Sequence, residues 1–410
     1  MRPSVERRVP HSGDGLGAAV ALARGSAEPH VLYENRGAVC WAEGELAVIT
    51  VDGFDGLAAV GGALRDLGAP RAYGWASFEL AHGGRGPLAY FAVPRNEIRF
   101  VEGAAALRSA DESTLDLLEK RLADVTVTEP SGERVEVDIE TYDAAGYREA
   151  VAEAVSAIRS GQLEKVILSR TVPVQEEIDF PSTYLAGRRG NDPARSFLLR
   201  LGGWEAAGFS PEIVVRVSAD GEVATQPLAG TRAFDNSVFD VARREELYRD
   251  AKEVFEHAIS VRLSAAELAT VCAPGTVRVT DFMSVKERGS VQHLASDVVG
   301  RLADGRTPWD AFAALFPAVT ASGIPKAEAC DMIRRTETGD RGLYSGAVLT
   351  VDADGAIDAA LVLRSVYRRG GRTWLRAGAG IVAQSTPERE LEETVEKLRS
   401  VSRFLVPSCA

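Results

Sequence analysis

Cysteine is scarce. Cys40, Cys272, Cys330 and Cys409 are scattered through 410 residues with no CxxC pair, so neither a disulfide framework nor a thiolate metal site is indicated, and a reducing compartment fits. Histidine is nearly as scarce, at five residues, and none stands at ligand spacing with a cysteine. No apolar run reaches the roughly 18 residues that a membrane span requires. Arg2, Glu6, Arg7 and Arg8 open the chain without a hydrophobic stretch behind them, so export is not expected and the reading is cytoplasmic. Basic residues are the minority, 47 against 59 acidic ones, for a formal charge of -12. That balance argues against nucleic acid or an anionic membrane as partner and leaves a small molecule. Internal repeats and low-complexity segments are also missing.

What is present is a large apolar fraction, 45% of residues, enough for a sizeable core. Length alone allows two or three units, or one large fold. Residues 1–141 read as short strands, such as AVCWAEGELAVITV and PLAYFAVPRNEIRFV, broken by Gly-rich turns and carrying few motifs. A boundary falls near Tyr142. After it, AAGYREAVAEAVSAIRSG has the 3.6-residue period of an amphipathic helix closed by Gly161. Residues 142–410 then alternate strands (EKVILSRTVPV, SFLLRL, AAGFSPEIVVRV, GLYSGAVLTV, AALVLRSVYRR, WLRAGAG) with two long helices, RREELYRDAKEVFEHAISVRLSAAELA and PERELEETVEKLRSVSRF. Short turns at Asp354-Gly355 and Gly370-Gly371 favour antiparallel pairing.

Carboxylates carry the strongest chemical signal. In the last helix Thr386 is placed as N-cap and Pro387 at the first helical position. At about 100° per residue, Glu390, Glu393 and Lys397 form one polar stripe beside the apolar stripe of Leu391, Val395 and Leu398. This stripe either lines a cavity or is an ordinary charged surface held by Glu393 and Lys397 at i,i+4. A second Glu-x-x-Glu pair, Glu253 and Glu256, stands among apolar residues in KEVFEHAISVRL. Carboxylates gathered in a poorly hydrated place require a cation, and an oxygen-only set selects a hard ion such as Mg²⁺. Two unrelated acidic helices are the alternative.

Other candidates are single residues. Lys165 opens the apolar strand KVILSR and is either a desolvated general base or a strand-end charge. Glu212, after Ser210-Pro211, is a capping carboxylate or, if buried, a general acid. The Gly-rich segments PLAGTR and RAGAGIV read as turns that match neither a P-loop nor a dinucleotide fingerprint, yet Gly230, Gly378 and Gly380 could let backbone approach an anion. Arg364 and Tyr344 are polar groups in apolar strands, for carboxylate recognition or for a structural ion pair. His293 is catalytic or a satisfied structural histidine.

Together the segments GQLEKVILSR, GFSPE, PLAGTR, KEVFEHAISVR, RGSVQHL, FPAVTASGIPKAEA, RGLYSGAV and GAGIVAQSTPERELEET resemble the chorismate-utilising enzymes over roughly residues 142–407. That family comprises anthranilate synthase component I, aminodeoxychorismate synthase, isochorismate synthase and salicylate synthase. The resemblance implies an α+β fold, a single large domain of two antiparallel β-sheets packed as a sandwich with helices outside, to which residues 1–141 contribute. Members using ammonia generally carry Gln where Lys165 stands, so Lys165 implies water as nucleophile. Simple isochorismate synthases usually show a His-Pro-Thr-Pro type segment in place of Phe316-Pro317-Ala318-Val319-Thr320, so the combination is most similar to the salicylate synthase branch. Ala229 departs from the Lys of many aminodeoxychorismate synthases, and no covalent lysine intermediate is expected.

On that resemblance, Lys165 would deprotonate water adding at C2 of chorismate while Glu212 protonates the departing C4 hydroxyl, giving isochorismate. Elimination would then release salicylate and pyruvate. Arg364 and Tyr344 would clamp the enolpyruvyl carboxylate. Mg²⁺ on Glu256 and Glu393, with Glu253 and Glu390 through water, would hold the ring carboxylate, assisted by Gly230, Thr231, Gly378, Gly380 and Lys397, with His293 beside the ring. No glutamine amidotransferase subunit is expected, and a monomer is. The alternatives are an isochorismate synthase that stops after the first stage and a noncatalytic chorismate-binding protein.

Overall fold

A computed structural model describes residues 4–35, 37–130, 132–235, 237–288 and 291–408, with the side chains of residues 231 and 233 also outside the description. Among the described residues, nineteen strands form one hydrogen-bonded antiparallel network flanked by ten α-helices. Its organiser is a long hairpin. Ala38–Val51 and Ala89–Val101 pair along their lengths, with a register slip between Glu45 and Ala47. On one side of the slip the flanking partners are His30–Asn35 and Ala104–Ser109, and on the other Arg71–Ala76. A bulge bends and twists a strand pair, and here two half-sheets diverge from it.

The first half continues through Arg195–Leu201, Trp204–Ser210, Ser365–Arg369, Arg372–Ile381 and Lys165–Val174. The second runs through Ala347–Asp352, Ile357–Leu361, Ile213–Val217, Glu222–Thr225 and Val291–Arg301. The period-two alternation of strands sorts side chains by face. Val31, Tyr33, Phe197, Leu199 and Tyr367 of the first half meet Tyr73, Trp75, Val348 and Ala360 of the second in an inner core. Their outward neighbours Leu32 and Leu198 pack with helices Gly15–Arg24, Glu112–Ala123 and Phe180–Gly190, while Ala72, Ala76 and Leu349 pack with Ala58–Leu67 and Pro308–Leu315. The expected sandwich with helices outside is therefore present, and its two sheets share the long hairpin. Strands from before and after Tyr142 pair directly once in each half, His30–Asn35 with Arg195–Leu201 and Arg71–Ala76 with Ala347–Asp352.

Two short crossings carry the chain between the halves, from Ser210 to Ile213 and from Leu361 to Ser365. Strand pairing forces both crossings into the same region, and Glu212 and Arg364 lie in them.

Three local expectations differ. The long helix read from Arg243 onward is two, Asp240–Arg249 and Ala251–Ala269, because Asp250 takes an extended conformation and its carboxylate accepts from the backbone N–H of Lys252 and Glu253. Side-chain capping of this kind outcompetes continuation of the first helix. The helix Pro387–Ser402 begins as expected, but Thr386 makes no side-chain capping bond. PLAGTR and RAGAGIV are mainly strand, Leu228–Ala233 and Arg372–Ile381: Gly378 and Gly380 pair with Ser169 and Ile167, and only Gly230, with a positive φ of 68° at a register shift, keeps a turn-like backbone.

Candidate functional site

Lys165 is the first residue of its strand, fully buried at 0% exposure. Alternation turns it to the same side as Ile167, while Val166 and Leu168 pack outward against the helices. Its ammonium lies 3.0 Å from Glu256 Oε1 and donates to Ser260 Oγ at 3.0 Å. Glu256 and Ser260 are one turn apart on helix Ala251–Ala269, so this strand is tied to that helix by charge.

The four glutamates converge. Glu253, Glu256 and Glu390 are buried. Lys252 Nζ sits 3.0 Å from Glu390 and 3.7 Å from Glu393, and Glu253 and Glu256 also hold the Lys252 ammonium in its charged form against the cost of burial. Lys397 Nζ pairs with Glu393 at 2.7 Å and donates to the Gly378 carbonyl at 2.8 Å. Burial, then repulsion from Glu256 and Glu393, pushes Glu253 up; burial and Glu393 do the same to Glu390. For Glu393 burial acts upward too, but Lys397 and Lys252 outweigh it and keep it ionised. Each carboxylate has a cation beside it, Arg232 standing 3.7 Å from Glu253, and by donor type the four are an oxygen-only set of the kind a hard divalent cation takes. Among the described residues, however, no three carboxylate, imidazole or thiol groups are gathered closely enough to hold a metal ion. Lys252 and Lys165 stand between them instead.

Glycine makes room for this cluster. A Cβ built on Gly380 would collide with Glu256 Oε1 and stand 2.8 Å from Cδ; one on Gly378 would lie 2.5 Å from the Leu168 carbonyl and 2.9 Å from the Tyr344 hydroxyl. Gly378 and Gly380, read in a turn, thus stand inside a sheet, where their missing side chains clear space. Gly380→Ala should displace the flexible Glu256 side chain rather than unfold the sheet. We expect kcat to fall at least about tenfold with a thermal midpoint lowered by only a few degrees, as for about 1–3 kcal/mol of overpacking, checked by steady-state kinetics and melting.

Glu212, at 3% exposure, is the other buried acid. Its Oε2 accepts from Leu228 N at 3.1 Å and its carboxyl from the Thr320 hydroxyl. Burial pushes it up to about 7, although these hydrogen bonds and the charges of Lys165 and Arg364 act downward. Arg364 is at φ 50°, just ahead of the strand Ser365–Arg369 rather than within it as read from the sequence. A non-glycine residue in that region is strained, and the strain is spent on aiming its guanidinium. One of its nitrogens, Nη2, stands 2.7 Å from His293 Nε2. Guanidinium can only donate, so Nε2 accepts and Nδ1 donates to the Gly230 carbonyl at 3.1 Å. Burial and the Arg364 charge hold His293 well below its ordinary value, so the ring is neutral. Tyr344 also lies outside the strand assigned to it, in the turn before Ala347–Asp352, with Arg341 and Arg376 over its ring, each 5.5 Å from the centroid.

A cavity of about 80 Å³ collects these groups: Glu212, Gly230, Glu256, His293, Tyr344, Arg364, Gly378, Gly380, Glu393 and Lys397 all line it. Lys165, Glu253 and Glu390 stand behind Glu256 and Glu393 as the next layer. The side chain of Thr231 lies outside the described residues; its backbone pairs with His293. Sequence reasoning missed Lys252, Thr320 and Arg376, of which the last two line the cavity. Lys252 carried a readable signal, lying four residues before Glu256 on one helical stripe.

A family model described as chorismate binding enzyme matches residues 36–403. The chain is 58% identical over 271 residues, 66% of its length and 60% of the relative's, to a salicylate synthase of Mycolicibacterium paratuberculosis. It is 38% identical over 260 residues, 63% of its length and 54% of the relative's, to anthranilate synthase component 1 of Spirochaeta aurantia. The matches thus span about three fifths or less of these curated relatives. Among solved structures, the menaquinone-specific isochorismate synthase of Escherichia coli aligns with a TM-score of 0.78 at 23% identity, covering 98% of this chain and 94% of that one. A putative 2,3-dihydroxybenzoate-specific isochorismate synthase from Bacillus anthracis aligns at 0.77 and 24%, covering 94% and 99%. At those identities the likeness is one of fold.

Proposed function

Because the chain belongs to the chorismate binding enzyme family, matched over residues 36–403, we propose that it is a Mg²⁺-dependent salicylate synthase, converting chorismate through isochorismate to salicylate and pyruvate. The observation that carries this reading is a buried carboxyl, Glu212, poised near 7 on the same cavity as Glu256, whose partner is the buried amine Lys165.

Lys165 takes a proton from water as its oxygen bonds to C2, and Glu212 gives its proton to the C4 hydroxyl, which leaves as water. Lys165 Nζ is engaged by Glu256 and Ser260, each at 3.0 Å, so it reaches the attacking water once Glu256 turns away from it. Arg364, aimed by neutral His293, takes the enolpyruvyl carboxylate together with the Tyr344 hydroxyl. The second stage moves the C2 hydrogen to the enolpyruvyl methylene as the C3–O bond breaks, and chiefly requires that side chain to be held in a reactive conformer. Glu256 and Glu393, with Glu253 and Glu390 through water, are the residues that would hold Mg²⁺. The ion would supply positive charge for the ring carboxylate beside Glu256 and Glu393.

Incubation with chorismate and Mg²⁺ should give salicylate and pyruvate in equal amounts. Removal of the metal with EDTA should abolish turnover, and excess Mg²⁺ should restore it. Accumulation of isochorismate alone would reject the lyase stage, and binding without turnover would leave a noncatalytic chorismate-binding protein.

A further inference from the structure

Glu212 and Thr320 line two cavities, not one. Behind the substrate cavity lies a chamber of about 10 Å³, bounded also by Thr225, Gln226, Ser264 and Glu267. That is about the space one water occupies, and the polar half of a lining shared with Ile213, Val214, Pro227, Leu315, Ala318 and Val319 offers it partners. The Thr225 hydroxyl donates to the Val214 carbonyl at 2.8 Å, and the Gln226 amide to Asp297 at 2.6 Å. The ionisable groups on the chamber wall are Glu212 and Glu267.

Glu267 leads outward. Lys326 Nζ pairs with it at 2.7 Å and donates to the Leu315 carbonyl at 3.1 Å. The two side chains are 14% and 19% exposed, so the pair reaches solvent where Glu212 does not. Burial raises Glu267 and lowers Lys326, bringing their proton affinities toward each other. The charged groups facing Glu212 are Lys165 and Arg364, and for Glu267 Lys326.

We propose that Glu212 is reprotonated from behind, through a water in this chamber that connects it to the Glu267–Lys326 pair, so that the acid is reloaded without passing a proton across the substrate cavity. The inference rests on reading Glu212 as the general acid. Each turnover leaves Glu212 one proton short and Lys165 one in excess, with product between them. The Lys326 ammonium hands a proton to the Glu267 carboxylate, which passes it to the chamber water as that water gives one of its own to the Glu212 carboxylate. Solvent then reprotonates the Lys326 amine, and Lys165 sheds its proton as product leaves, so the cycle closes with no net change. Glu267 touches no substrate and acts only through Glu212.

The test is Glu267→Gln in the full chain with Mg²⁺ and chorismate. We expect kcat to fall about tenfold with KM unchanged, the D₂O solvent isotope effect on kcat to rise, and added formate to restore much of the rate by entering the relay. Since this variant strands the Lys326 ammonium, the double variant Glu267→Met with Lys326→Met removes both charges, and it should show the same slow kcat and the same formate rescue. Full kcat in the single variant, or its recovery in the double, would overturn the relay. If the unaltered chain adds no water to chorismate, the Glu212 reading fails first and takes the relay with it.

Discussion

Lys165→Ala should turn chorismate over about 10³-fold more slowly than the unaltered chain while still binding it, since positioned general bases contribute about 10²–10⁴-fold. The substrate contacts proposed above are Arg364, Tyr344 and Lys397, whereas Lys165 bonds to Glu256 and Ser260. The complication is structural. Removing one member of a buried pair costs about 3–5 kcal/mol where the remaining charge is stranded, and Glu256 would be left with its carboxylate facing Ser260. Lys165→Gln separates the effects: the amide can still donate to Ser260 and Glu256 but accepts no proton from water at neutral pH. Both variants should lose isochorismate formation, with Gln retaining the thermal midpoint more closely. Full turnover by either would remove Lys165 from the reaction.

Glu212→Gln should cost a comparable factor, about 10²–10⁴-fold in kcat, with little change in affinity, because the amide keeps the shape and the contact with Thr320 but has no proton to give. The pH profile follows from the same residue. Glu212 is raised from 4.5 to about 7, and only its protonated form can assist the leaving hydroxyl. Activity limited by this acid should therefore hold below about pH 7 and fall above it, approaching tenfold per pH unit. Stability moves with the same sign. Between 4.5 and about 7 the folded chain holds a proton that the unfolded chain has released, so the Glu212 contribution is fully present below the lower value and is lost as pH rises through the upper one. Loss of the alkaline limb in Glu212→Gln, measured by initial rates across pH, is the specific check; an unchanged limb assigns it to another group.

The glutamate pairs show what a sequence does and does not convey. Helical periodicity was enough to put Glu390, Glu393 and Lys397 on one stripe and to mark Glu253 and Glu256 as buried. It could not reveal that both stripes face Lys252, because that meeting is set by where Pro387–Ser402 packs on Arg372–Ile381 and Ala251–Ala269 packs on Leu228–Ala233 and Val291–Arg301. Lys252 went unread for a related reason, as a lysine beside glutamates looks like any solvated helix start. The glycines were recognised but misplaced: a Gly-rich string resembles a turn, whereas in RAGAGIV the absent side chains clear space for Glu256 and Tyr344 across the sheet. Arg364 and Tyr344 were placed in strands because their neighbours are apolar, and the strained backbone at Arg364 leaves no trace in composition. The sandwich followed from the short antiparallel connections and the family resemblance. The shared hairpin that joins its sheets depends on a single register slip near Glu45, which alternation alone does not mark.

At the centre of the account is water, not ammonia, attacking a ring held between Lys165 and Glu212. Turnover of chorismate in H₂¹⁸O with Mg²⁺, read by mass spectrometry of the aromatic product, tests it directly. Salicylate should carry a phenolic oxygen that comes from solvent and is labelled throughout. Unlabelled salicylate, or an amino-substituted ring when ammonium is present, would contradict it.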